Sequence, residues 1–126
     1  MKYYTNNLEE QSIKNDNFRE VLHTSGNMQL VVMSLLPLED IGEEVHHLDQ
    51  FIRVEKGNGK AILNGEEFAL ADGSAVIVPS GTTHNIINTS ATEKMKLYTI
   101  YAPSNHPEGT IHKTKAEAEA DEHEHH

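Results

Sequence analysis

Gly73-Ser74-Ala75-Val76-Ile77-Val78-Pro79-Ser80-Gly81-Thr82-Thr83-His84-Asn85-Ile86-Ile87-Asn88 is the stretch from which the fold is read. An apolar run from Ser74 to Val78, a Pro/Gly turn and a returning run from His84 to Asn88 follow one another, as two β-strands and their connection would. His84 then stands at the start of a strand, a good position for a metal ligand.

The same grammar extends outward in both directions. Further β-rich runs cover roughly Arg19 to Thr24, Met28 to Leu35, Phe51 to Lys56, Gly59 to Leu63, Glu66 to Leu70 and Lys96 to Tyr101. Their separators, Ser25-Gly26-Asn27, Gly57-Asn58-Gly59, Asn64-Gly65, Asp72-Gly73 and Ser80-Gly81, supply residues that tolerate positive φ. Asn64-Gly65 between two runs is the strongest of these hairpin signals. About eight short strands at this spacing predict an all-β sandwich or barrel, and a double-sheet jelly roll hides their edges while enclosing one ligand-sized cavity.

With 126 residues the chain suffices for one domain. Residues 1–18, rich in Asn, Glu and Gln, read as an N-terminal arm, 19–113 as the barrel and 114–126 as an acidic, His-rich tail. That tail has no apolar face to bury and is expected to be a frayed helix or disordered. His123, His125 and His126 within it are assigned no function. Acidic residues outnumber basic ones 20 to 10 and the net charge is -10, which disfavours nucleic acid or an anionic membrane as partner. MKYYTNNLEEQS has no apolar signal region, so a cytoplasmic location is expected. The absence of cysteine excludes disulfides and thiolate metal sites, leaving nitrogen and oxygen donors.

The second informative stretch is Gly42-Glu43-Glu44-Val45-His46-His47-Leu48-Asp49-Gln50-Phe51-Ile52-Arg53-Val54-Glu55-Lys56-Gly57. On extended backbone Glu44, His46 and Gln50 share one face, while Val45, His47 and Asp49 share the other. Glu44, His46 and Gln50 with His84 therefore form the candidate metal set, and His47 is expected to point outward. Two imidazoles with a carboxylate suit Fe(II), Mn(II) or a related ion and leave coordination positions open for substrate.

These two stretches resemble the two motifs of the cupin superfamily. Gly73, Pro79, Gly81, His84 and Asn88 fit G-x5-P-x-G-x2-H-x3-N at every defined position. With Gly57 as the last glycine of G-x5-H-x-H-x3,4-E-x6-G, Gln50 takes the glutamate position, His46 the second histidine, Glu44 the first, and Leu38 the opening glycine. From about Arg19 to Pro103 the chain is similar to small single-domain, RmlC-like cupins. The resemblance implies a double-stranded β-helix barrel that holds a divalent ion (Fe, Mn, Zn or Ni) at Glu44, His46, Gln50 and His84, and commonly a homodimer. It also implies a metal-dependent enzyme of oxygenase, isomerase or decarboxylase type acting on a small polar molecule. The alternatives are a cupin that binds or senses a sugar-like ligand without turnover, and an oligomeric structural cupin with a vestigial metal site, which the substitutions at Glu44 and Gln50 fit. Asp49, Glu55, Tyr98 and Tyr101 are candidate neighbours of the cavity, while Asn88 is read as structural.

Overall fold

The computed structural model describes residues 2–124. Its strands are β1 (Arg19–Thr24), β2 (Gln29–Leu35), β3 (Asp49–Lys56), β4 (Gly59–Leu63), β5 (Glu66–Leu70), β6 (Ala75–Val78), β7 (His84–Asn88), β8 (Met95–Ala102) and β9 (Ile111–His112). They form two antiparallel sheets, one ordered β6-β3-β8-β2-β1-β9 and the other β5-β4-β7. The all-β barrel expected from the turn spacing is thus the fold.

Local chemistry explains the pairing. Asn64 and Gly65 both take positive φ, 48° and 85°, as a type I′ turn requires, and Leu63 pairs with Glu66 across it. Burial alternates along β3 so that Gln50, Ile52 and Val54 face the interior, and along β7 so that His84, Ile86 and Asn88 do. Between the sheets lie Val31, Met33, Leu35, Ile52, Val54, Ile86, Met95 and Leu97. Asn88, 1% exposed, serves the backbone: its Nδ2 donates to the carbonyls of Leu35 (3.3 Å), Leu36 (3.0 Å) and Glu93 (2.8 Å), and its Oδ1 accepts from Ser90 N (3.0 Å).

Each terminal segment contains a short helix. Helix α1 (Leu8–Lys14) is capped by Asn7, whose side chain accepts from Glu10 N at 3.0 Å. Of the two expectations for the tail, a frayed helix or disorder, the structure has a helix, α2, over Lys115–Glu124. α2 is fastened by single contacts instead of an apolar stripe. Thr114 Oγ1 caps Glu117 N at 3.1 Å, Ala118 is buried to 3% exposure, and Lys115 Nζ meets Asp40 Oδ1 at 2.5 Å. Asp121 Oδ2 accepts from His112 Nε2 at 2.8 Å, on strand β9, which was not foreseen. His125 and His126 lie outside the described residues, as does the side chain of His123. Among the described residues no helix is long and apolar enough to cross a membrane.

Candidate functional site

Residues 43 to 50 keep strand parity although only the last two belong to β3: Glu43, Val45, His47 and Asp49 are exposed, and Glu44, His46, Leu48 and Gln50 turn inward to varying depth. His47 points outward, as expected. Two backbone hydrogen bonds, Glu44 N to His84 O and His84 N to Glu44 O, both 2.9 Å, join the first stretch to the second as an isolated antiparallel bridge. Gly81 N donates to His46 O at 2.8 Å and Ser80 N to Asp49 Oδ1 at 3.0 Å, so the Pro/Gly turn is clasped to the segment bearing His46.

Three of the four predicted ligands are thereby brought together. Glu44 Oε2 lies 3.4 Å from His46 Nε2, and the rings of His46 and His84 are 5.1 Å apart, tilted by 54°. His84 Nδ1 sits 2.9 Å from Thr82 O. A carbonyl can only accept, so the ring proton is on Nδ1 and Nε2 carries the lone pair. Gln50, 5% exposed, donates through Nε2 to Thr99 Oγ1 at 3.0 Å, and Thr99 passes its own proton to Phe51 O at 2.9 Å. This chain fixes the amide orientation and leaves Gln50 Oε1 buried with no hydrogen-bond partner. Among the described residues no three His, Cys, Asp or Glu side chains close into a group able to hold a metal by themselves.

Burial dominates the electrostatics here. It pulls the His46 imidazole down to about 4, helped by the nearby His84 and Arg19, so this ring is neutral at physiological pH. Burial pushes the Glu44 carboxyl above the usual range, partly opposed by Arg19. The buried Tyr101 phenol is pushed up to about 12, again by desolvation first, and its ring stands edge-on to His46 (5.9 Å) and His106 (5.3 Å). Of the four candidate neighbours, only Tyr101 stands among the histidines. Asp49 clasps the turn, Glu55 lies 3.3 Å from Arg53, and Tyr98 packs beside Phe51 at 6.2 Å.

Glu44 and His46 border a cavity of about 520 Å³ that Arg19, Asn105, His106 and His112 also line. None of those four was singled out from the sequence. Asn105 and His106 are presented by a loop tied to Gln29, a fully buried side chain: Gln29 Oε1 accepts from Asn105 N (3.1 Å) and His106 N (3.0 Å), and Nε2 donates to His106 O (2.8 Å). Burial pulls His106 down to about 3. His84 borders a separate, smaller cavity of about 180 Å³. A buried Gln at a strand start, which must satisfy its amide somewhere, was the one local signal that could have pointed to this loop.

The chain is a two-sheet antiparallel barrel with two histidine rings 5.1 Å apart, and the family model described as Cupin domain matches residues 31–101. The chain belongs to the cupin-domain family. It is 46% identical to Uncharacterized protein L612 of Acanthamoeba polyphaga mimivirus, over 86% of this chain and 70% of that protein. It is likewise 46% identical to Uncharacterized protein YrkC of Bacillus subtilis (strain 168), over 96% of this chain and 68% of that one. Among solved structures, BH2720 from Bacillus halodurans matches with a TM-score of 0.92 at 41% identity, over 94% of this chain and 95% of the other.

Proposed function

We propose that this cupin holds a divalent ion (Fe, Mn, Zn or Ni) through His46, His84, Glu44 and Gln50 and acts as a metal-dependent enzyme on a small polar molecule in the adjoining cavity. The observation that carries the reading is the unpartnered Gln50 Oε1, a buried acceptor left without a donor. A buried polar atom without a partner costs about 1–3 kcal/mol, which a bound cation offsets. Two other members of the set are acceptors as well: His46 is held neutral, and His84 has its proton committed to Thr82 O. Glu44 Oε2 and His46 Nε2, 3.4 Å apart, are spaced as two donors of one first-row ion would be, given bonds of about 2.0–2.2 Å.

When bound, such an ion supplies Lewis acidity to a ligand oxygen. The chain's own residues do the rest. Tyr101 walls the site with an edge-on ring, and its phenol keeps its proton across the physiological range. His106, kept neutral by burial, lines the cavity with its Nε2 accepting from Asn105 Nδ2 at 3.4 Å.

The test is thermal stabilisation by Fe(II), Mn(II), Ni(II) and Zn(II) of wild type, Gln50→Glu and Gln50→Leu, followed by substrate screening on the loaded protein. Gln50→Glu should bind hard ions more tightly, through an added negative charge at short range. Gln50→Leu should bind more weakly yet be at least as stable metal-free, since it removes the orphaned acceptor. Stabilisation of Gln50→Leu by metal equal to that of wild type would refute the ligand set, and ligand binding without turnover would reduce the protein to a binder.

A further inference from the structure

We infer that Arg19 is the recognition residue for a carboxylate group of the cavity's ligand. This names the ligand class for the same cavity, and so rests on reading that cavity as the ligand site, though not on the metal.

Arg19 opens β1 and its side chain lies on the cavity wall, yet the residue is only 2% exposed. A guanidinium stays charged at any physiological pH, so this is a permanent buried cation. None of the ion pairs among the described residues includes Arg19. Its Nε is buried with no hydrogen-bond partner, and its Nη1 meets only a ring nitrogen, His112 Nδ1, at 3.3 Å. Buried charges are ordinarily paired, because desolvation removes the water that would otherwise stabilise them. A cation left unpaired on a cavity wall is therefore a socket for an anion brought by the ligand.

The surroundings orient this socket with no carboxylate in direct ion-pair contact among the described residues. A guanidinium can only donate, so His112 Nδ1 accepts from Arg19 Nη1, and the ring proton resides on Nε2, donated to Asp121 Oδ2 at 2.8 Å. Strand register sets the pair, with Arg19 opposite His112 across β1 and β9. The Phe18 ring lies 5.3 Å from Arg19 Cζ. Arg19 is thus held by a neutral ring, an aromatic neighbour and, at one remove, helix α2.

The rest of the wall selects among anions. Glu44, Asp121 and Glu122 line the same cavity and repel a dianion more than a monoanion, which favours a single carboxylate over a doubly charged phosphate. Asn105, with its amide on the same wall, offers further polar contacts for a hydroxylated ligand.

The experiment measures thermal protection by acetate, glycolate and gluconate, with glucose as the uncharged analogue of gluconate and inorganic phosphate as the rival anion. Wild type, Arg19→Lys and Arg19→Met are compared in chelator-treated and metal-loaded form. At least one carboxylate should protect wild type at millimolar concentration, with glucose and phosphate much weaker. Arg19→Lys, which cannot present a planar fork, should lose about tenfold or more in affinity, and Arg19→Met should lose all protection. Free Arg19→Met should melt no lower than wild type, since it removes an unpaired buried charge. If glucose or phosphate protects as well as the carboxylates, if none of the three acids protects, or if Arg19→Met melts well below wild type without ligand, Arg19 is a structural residue and the inference fails. Metal stabilisation is scored on the same variants, so carboxylate binding without metal binding would sink only the metal assignment, and the converse only this one.

Discussion

Replacing Asn88 by Asp changes one amide nitrogen to oxygen at the buried end of β7 and tests whether this position holds the fold together or serves the site. Nδ2 has two protons for three carbonyls, those of Leu35, Leu36 and Glu93 at 3.3, 3.0 and 2.8 Å, so one proton is shared and the longest contact is the weakest. Adding Ser90 N to Oδ1 at 3.0 Å gives about three effective hydrogen bonds, worth about 1 kcal/mol each net in a buried setting. Asn88→Ala should therefore cost about 3 kcal/mol, and at this chain length about 10–15 °C in Tm. Asn88→Asp should cost more, because at neutral pH it buries a carboxylate against three carbonyl oxygens. The sign of its pH dependence follows. The folded-state pKa of the new carboxyl is raised, so it is less harmful below the unfolded value of about 3.9 and most harmful above the raised one. The gap in Tm between Asn88→Asp and wild type should thus narrow on acidification from neutrality. Calorimetric melting of the three proteins between neutral and mildly acidic pH is the assay. An Asn88→Asp protein within about 2 °C of wild type, less than about 1 kcal/mol at this size, would refute the assignment of Asn88 as the tie between these backbone segments.

Removing residues 114–126 should lower stability by about 1–3 kcal/mol, from the lost Ala118 methyl at about 0.8 kcal/mol and the partly exposed Lys115–Asp40 and Asp121–His112 pairs at up to about 1 kcal/mol each. Unchanged denaturant midpoints for the truncated chain would show that α2 merely rests on the barrel. Metal-free protein should lose stability as pH falls from about 6.5, the unfolded histidine value, toward the folded values of about 4 for His46 and about 3 for His106, because the unfolded chain takes up protons that the folded one refuses. His106→Gln should flatten that slope, and an unaltered pH profile would mean that His106 is not kept neutral by burial.

The strands were legible because their signals are local. The bounds of Arg19–Thr24, Gly59–Leu63, Glu66–Leu70 and His84–Asn88 follow from apolar alternation between turn residues, and Asn64-Gly65 specified its hairpin outright. Period-two parity alone sends Glu44, His46 and Gln50 one way and His47 the other. The cavity wall was not legible. Arg19 and His112 are separated by 93 positions and meet only because a two-residue strand pairs with β1, too short to carry a hydrophobic pattern. His106 is aimed by Gln29, 77 positions away. Helix α2 was legible only as one of two alternatives because its burial rests on one alanine, although Thr114-Lys115-Ala116-Glu117 is a capping-box sequence that announces a helix start.

Metal stoichiometry of purified wild type, His46→Ala, His84→Ala and His47→Ala, by elemental analysis after loading with each ion and gel filtration, tests the central claim most directly. Wild type and His47→Ala should retain about one ion per chain, while His46→Ala and His84→Ala, each missing an imidazole donor, should lose most of it. Retention by His46→Ala and His84→Ala, or loss by His47→Ala, would contradict the account.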